Sequence, residues 1–323
     1  IIDLLPKMVY ALDEPIGDPA ALNTFLICFA ARKEGVKVLL SGMGADEIFF
    51  GYRRQNATLL ASRYKRTPRI LRKSASLLVS SLPVKFMGRG IKISRWAKRF
   101  LSFADLPTEE AYMQSYSYYN QKELQQLFVK DIQTSYRKLR QAHAALFNAH
   151  YNGDDINKMC YTDIYMFMQG LNLTYTDRSS MAASVEVRVP FIDKHVIELA
   201  MQIPGKFKYK NKQPKYILKK VAEKYLQKEI IYRSKAGFGA PIKSWISGEL
   251  KEMVDDLLSK ENVEKRNIFN YNYVKNLIIN DRKGVEDNAY RIYQLLTLEI
   301  WFRTFVDANK KEFSNKKLTS QAQ

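Results

Sequence analysis

The sequence predicts an α/β protein: the end of an open parallel-sheet layer in residues 1–52, followed by a mostly helical body. Three observations carry this reading. Val36-Lys37-Val38-Leu39-Leu40 is a short β-branched, apolar run of the kind found in buried parallel strands. A glycine turn, Ser41-Gly42-Met43-Gly44, leaves it and enters a helical pattern. Beyond residue 52 strand signals stop and helical periodicity takes over.

Residues 1–12 have the pattern of an amphipathic helix. Asp18-Pro19 is a helix start, a capping carboxylate followed by proline in the first turn. The helix that follows, 20–33, has apolar residues on nearly every side and is expected to be well buried; Gly35 ends it. Residues 53–150 are expected to form a helical, basic insertion and 151–310 a helical C-terminal part. Within them, 109–128, 131–150, 155–169, 194–202, 214–225, 242–258, 271–280 and 289–306 read as helices. Residues 311–323 form a polar tail expected to fray. No internal repeat is visible.

The chain has 323 residues, 46% of them hydrophobic, so it has the material for a core and bulk disorder is excluded. No apolar run approaches the length of a membrane-spanning helix. Two cysteines, Cys28 and Cys160, make neither a disulfide framework nor a zinc site, which points to a cytoplasmic protein without structural metal. The chain opens on Ile1, already inside a helical pattern, and is read as lacking its true N-terminus. The net charge of +19 is uneven: residues 53–99 hold fourteen Lys or Arg and no Asp or Glu, which leaves +5 for all the rest. Helical periodicity in Leu59, Leu60, Tyr64, Ile70, Leu71, Leu77 and Leu78 runs through that block, punctuated by Pro68 and Pro83. A solvated basic face, a footprint for nucleic acid or acidic lipid, and a surface for an acidic partner domain are the readings open to it. Nothing in it resembles a base-reading motif, so nucleic acid is not the favoured partner.

Three segments could carry chemistry. Ser41 to Glu47 lies beyond the carboxyl end of the strand, where ligands of open α/β sheets bind. Its glycines let a nucleotide approach the backbone, and Asp46 would meet a phosphate through Mg²⁺ rather than directly. The plainer alternative is a tight turn whose acids complement the helix dipole. Asp177 to Asp193 interleaves charges with small and apolar residues, as in a lined cleft or a structural ion-pair network. In Arg233 to Pro241, Lys235 beside Gly237 and Gly239 suits a loop closing over phosphates, or an ordinary surface turn.

Together the segments resemble the synthetase domain of the glutamine-hydrolysing asparagine synthetase family. The family's D-E-P-x-x-D-P is matched by Asp13-Glu14-Pro15 and Asp18-Pro19. Its S-G-x-G-A-D-E-[LI]-F-x-G-Y is matched by Ser41 to Tyr52, and D-R-x-S-M-A-x-S-x-E-x-R-V-P-F-[LI]-D by Asp177 to Asp193. R-x-K-x-G-F-G-x-P is matched by Arg233 to Pro241, and order and spacing hold from about residue 1 to 305. The resemblance implies an ATP-pyrophosphatase (adenine nucleotide α hydrolase-like) core and a two-step reaction with ATP and Mg²⁺. ATP adenylates the aspartate β-carboxylate, and ammonia from a glutaminase domain displaces AMP to give asparagine. It implies ATP or AMP binding at Ser41, Gly42 and Gly44, and an Mg²⁺–pyrophosphate role for Asp46. Lys235 would stabilise charge during acyl transfer. Glu186 and Arg188 would shape the pocket, with Asp18, Asp163 and Asp177 near the same cleft; a homodimer is also implied.

Three departures stand out. The family's S-G-G-x-D-S phosphate loop and its amino-terminal cysteine nucleophile are absent from these residues, so this length alone is expected to be inactive. Met43 stands where asparagine synthetases usually carry Glu; relatives such as β-lactam synthetases also lose that Glu and use other carboxylates, and a thioether takes no proton there. Phe50 replaces a glycine, a change expected to alter local packing.

Overall fold

The computed structural model describes residues 1–81, 85–86, 89–90, 92–149, 154–234 and 238–308. The polar tail and Lys235 therefore lie outside the described residues. The protein is mixed α/β and mostly helical. Helix α1 (Leu4–Leu12) and helix α2 (Ala20–Lys33) precede strand β1 (Val38–Leu40), and the short α3 (Ala45–Ile48) follows the glycine turn. The basic block forms α4 (Arg53–Tyr64), α5 (Arg69–Ser81), the ribbon β2 (Lys85–Phe86) and β3 (Arg89–Gly90), and α6 (Lys92–Leu101). Next come α7 (Thr108–Tyr116), α8 (Gln121–Leu127), α9 (Gln133–Asn148) and α10 (Asp155–Asp163). A π-helix over Ile164–Asn172 joins α10 to α11 (Leu173–Ala182), and β4 (Glu186–Arg188) follows.

Strand β4 pairs in parallel with β1, Leu39 opposite Val187, in a two-stranded sheet. That corrects the expectation of no strand beyond residue 52: Glu186-Val187-Arg188 is too short and too charged to register as one. The expectation of a buried strand is also corrected. Only Leu39 packs inward, against Cys28, Ala183 and Val185, while Val38 and Leu40 are exposed. Helix α2 likewise buries Ala21, Leu22, Phe25 and Cys28 but exposes Leu26, Ile27 and Phe29. Cys28 and Cys160 are both free and buried.

Two predicted helices are divided. Residues 109–128 break between α7 and α8 because Asn120 caps α8, accepting the Glu123 N–H while Glu123 accepts the Asn120 N–H. Residues 242–258 break at Gly248 into α12 (Ile242–Ser247) and α13 (Lys251–Leu257). The main core gathers α1, α2 and the C-terminal helices through Leu5, Met8, Leu12, Leu22, Val254 and Leu296. A second cluster, with Phe50, Tyr112, Phe147, Met159 and Cys160 at its centre, lies under the motif that follows β1. Phe50 holds φ +61° there, a conformation costly for a side chain with a Cβ, and is fully enclosed against Tyr209. Among the described residues, no helix is long and apolar enough to cross a membrane.

Candidate active site

Ser41 leaves β1 with its N–H donating to the Arg188 carbonyl at 2.8 Å, so the turn begins flush with the end of the sheet. The Ser41 hydroxyl accepts the Met43 N–H at 3.2 Å and tightens the turn. Gly44 adopts φ +94°, and a Cβ there would stand 2.8 Å from Ile192 Cγ2 and 3.2 Å from Phe191 Cβ. Conformation and contact both demand glycine at this position. Its crowding packs the turn against Pro190–Ile192, so the second and third motifs meet at this point. They meet again where the Thr176 hydroxyl donates to the Met43 sulfur at 3.5 Å. Gly42 is exposed, with open space beside its backbone.

Asp46 and Glu47 divide the work of α3. Asp46 is partly exposed and pairs with Lys215 Nζ at 3.0 Å, above Gly51, where any Cβ would collide with the pair. Glu47 is buried; its Oε1 accepts from the Tyr52 hydroxyl and from Asn172 Nδ2 at 2.8 Å. Burial pushes the Glu47 carboxyl above its ordinary value, and the Tyr52 hydroxyl pulls it partly back. Behind it, Asp163 is fully enclosed. It accepts from Tyr112 and, at 2.9 Å, from Gln55, and pairs with Arg54 Nη2 at 2.9 Å. Arg54 lies over the rings of Tyr52 and Phe167, 3.8 and 3.9 Å from their centroids. Asp163, expected near the substrate cleft, lies enclosed behind the motif, its carboxylate committed to three neighbours.

A pH test follows for Glu47. Its raised native value means that the folded state holds the proton more firmly than the unfolded chain, which releases it near 4.5. Stability from this group is therefore full at low pH and is lost as pH rises through the native value. Glu47→Gln keeps the shared acceptor oxygen, so the urea midpoint of the variant should gain on wild type as pH rises above the unfolded value of 4.5. A gain that shrinks with pH overturns the assignment.

The other predicted residues are placed as follows. Asp18 caps α2, its Oδ1 accepting the Ala20 N–H at 2.9 Å, and burial raises its carboxyl above the ordinary value. Glu186 and Arg188 are exposed on β4 and bound to each other at 2.8 Å. Asp177 is exposed on α11, and its neighbour Arg178 pairs with Asp13 at 3.3 Å, joining the first motif to the third. Of the fourth motif, Phe238 is 56% exposed and Ala240 is buried in the main core, so the loop is anchored at its C-terminal side. Lys215 beside Asp46, and Arg54 behind it, were not anticipated: Lys215 lies outside all four motifs, and nothing local marks Arg54 as the partner of an acid 109 positions away.

Among the described residues, no group of three or more His, Cys, Asp or Glu could hold a metal ion. An Mg²⁺ ion needs only one or two protein carboxylates when substrate phosphates complete its shell, and Asp46 is placed to provide one. One partly exposed carboxylate, paired with Lys215, is what the turn offers an ion brought in with a polyphosphate.

Fold and candidate site together define an α/β protein whose glycine turn leaves the carboxyl end of a parallel strand and is packed against a later motif. The chain belongs to the asparagine synthase family, whose model matches residues 1–303. It is 32% identical over 300 residues to asparagine synthetase [glutamine-hydrolyzing] 1 of Bacillus subtilis strain 168, covering 92% of this chain and 45% of the relative. A putative asparagine synthetase [glutamine-hydrolyzing] of Mycobacterium tuberculosis H37Rv is 28% identical over 307 residues, 94% of this chain and 44% of the relative. Amidase chyE of Penicillium rubens is 27% identical over 287 residues, 82% of this chain and 41% of the relative. The chain thus spans about half the length of the curated relatives it matches.

Proposed function

We propose that this chain is the synthetase part of a cytoplasmic, ATP-dependent amide-forming ligase that makes asparagine from aspartate. An oxygen of the substrate carboxylate attacks the α-phosphorus of ATP and pyrophosphate leaves. Ammonia then attacks the acyl carbon, AMP leaves with the carboxylate oxygen, and nitrogen sheds a proton. The observation that carries the reading is the turn Ser41–Gly44, exposed at Gly42 and seated at the end of β1, with Asp46 in the first turn of α3. In this reading the exposed backbone at Gly42 meets the nucleotide, and Asp46 with Mg²⁺ holds the pyrophosphate. The magnesium ion supplies charge neutralisation on the leaving group. Lys215, resting on Asp46, keeps that carboxylate in place between turnovers. Lys235 supplies positive charge at acyl transfer. Asp18, Asp177, Glu186 and Arg188 border the pocket. Ammonia comes from glutamine through a glutaminase domain of the same protein, which works as a homodimer.

A second reading, a family member that amidates another carboxylate such as a surface-polysaccharide precursor, is favoured by Met43, whose sulfur is already engaged by Thr176. Carboxylate-dependent ATP–pyrophosphate exchange by the protein as its gene encodes it tests both. Exchange with aspartate supports the first reading and exchange only with another acid the second. If no carboxylic acid supports exchange, a binding module that kept the fold replaces both. Under the second reading, Met43→Glu should raise aspartate-dependent exchange by about tenfold or more, an effect worth roughly 1.4 kcal/mol.

A further inference from the structure

Helix α5 carries its amphipathic pattern turned outward. Arg72 faces the body of the protein, bound to Asp105, with its guanidinium over the Tyr64 ring. Ile70, Leu71 and Leu78 point the other way and are 78%, 63% and 69% exposed. Helix α6 packs against α5 and adds Ile93, 78% exposed, and Trp96, 53% exposed and stacked on Phe100. Exposed Arg63, Arg66, Arg69 and Lys73 flank the stripe, in a segment whose residues 53–99 contain no acid. A soluble helix normally turns such a stripe toward its core.

We propose that α5 and α6 form a docking surface for an anionic lipid bilayer, on which the two helices lie with their aliphatic stripe and Trp96 in the headgroup boundary. Apolar residues on one face with Arg and Lys beside them are what binding in the plane of a membrane requires. The thirteen residues of α5 span about 20 Å, too short to cross a bilayer but suited to lie along one. The charge selects the occupant. A second copy in a two-fold contact would set one acid-free basic face against another, which like charges oppose. Nucleic acid would engage the arginines but would gain nothing from isoleucine and leucine, and the patch lacks a row of stacking aromatics. The proposal is independent of the amide-forming reading. Helix α4 runs about 18 Å from Tyr52, at the end of the motif, toward this patch, so docking would hold the site at a set height above the lipid.

The test is co-sedimentation of the protein as its gene encodes it with vesicles of phosphatidylglycerol and phosphatidylcholine, and with phosphatidylcholine alone. Binding should be at least about tenfold tighter to the anionic vesicles, should weaken as salt rises, and should shift tryptophan emission to the blue. The shift should vanish in Trp96→Phe. Leu71→Glu/Leu78→Glu should reduce binding at least about tenfold while leaving far-ultraviolet circular dichroism unchanged. Should that variant misfold, Arg69→Glu/Lys73→Glu carries the test, since both side chains are exposed, and is expected to lower binding to the anionic vesicles alone. Failure to sediment with anionic vesicles overturns the proposal. So does vesicle binding indifferent to both double variants. A concentration-dependent dimer that Leu71→Glu/Leu78→Glu dissociates, without vesicle binding, assigns the face to a second copy and equally overturns it.

Discussion

Asp163→Ala is expected to cost the fold about 3–5 kcal/mol, the usual penalty for removing one partner of a buried ion pair. The carboxylate is fully enclosed, and its loss would leave the Arg54 charge without its counterion and the Tyr112 hydroxyl and Gln55 amide without their acceptor. Burial alone pushes this carboxyl upward, and Arg54, Tyr112 and Gln55 are what offset that desolvation. Urea unfolding followed by circular dichroism measures the cost. Asp163→Asn should fall between alanine and wild type, because it restores an acceptor but no charge. A loss below about 1 kcal/mol for alanine would mean that water or rearrangement satisfies Arg54, and the network would not be the support of the motif.

Asp46→Asn is expected to act on chemistry rather than on folding. Under the proposed function it should lower carboxylate-dependent ATP–pyrophosphate exchange by about 10²–10³-fold, the scale of losing one electrostatic contact to the charge that develops in the transition state. Its ion pair with Lys215 is partly exposed, so the stability change should stay within about 1 kcal/mol. Exchange within threefold of wild type would remove Asp46 from the pyrophosphate role. A large loss of stability would assign the residue to the fold. The two substitutions lie on one motif and its support, yet they predict opposite signatures.

Residues close together in sequence were the legible part of this molecule. The turn after β1, the cap at Asp18 and the helix start after Pro68 each depend on neighbours a few positions apart. The Asn120–Glu123 capping box was equally local, and it could have divided residues 109–128 at the sequence level. What escaped depends on distance. Strand β4 exists because β1 offers it a partner, and its own three residues carry no pattern long enough to declare it. Arg54 belongs to a charge run by sequence, and only folding sets it beside Asp163. For the candidate site, Ser41, Gly44 and Met43 are brought against the third motif, whereas the enclosure of Asp163 turned on packing from α4, α7 and α10.

The π-helical segment between α10 and α11 carries a phase shift. Leu173 donates to Met168, five residues back, where an α-helix would use the fourth. Each residue of an α-helix advances about 100° around the axis, so one wider turn changes which faces of the two flanking helices line up. Asp163 before the segment holds Arg54 at the start of α4, and Asn172 at its end holds Glu47 in the motif after β1. Gly170 sits within it, and a Cβ there would meet open space. Forcing the segment into ordinary α geometry with all its residues kept would rotate Asn172, Thr176 and the rest of α11 by about 100° relative to Asp163. The acid and the amide would then face different sides, so the wider turn lets one continuous helical run serve the motif with Asn172 and the helix behind it with Asp163.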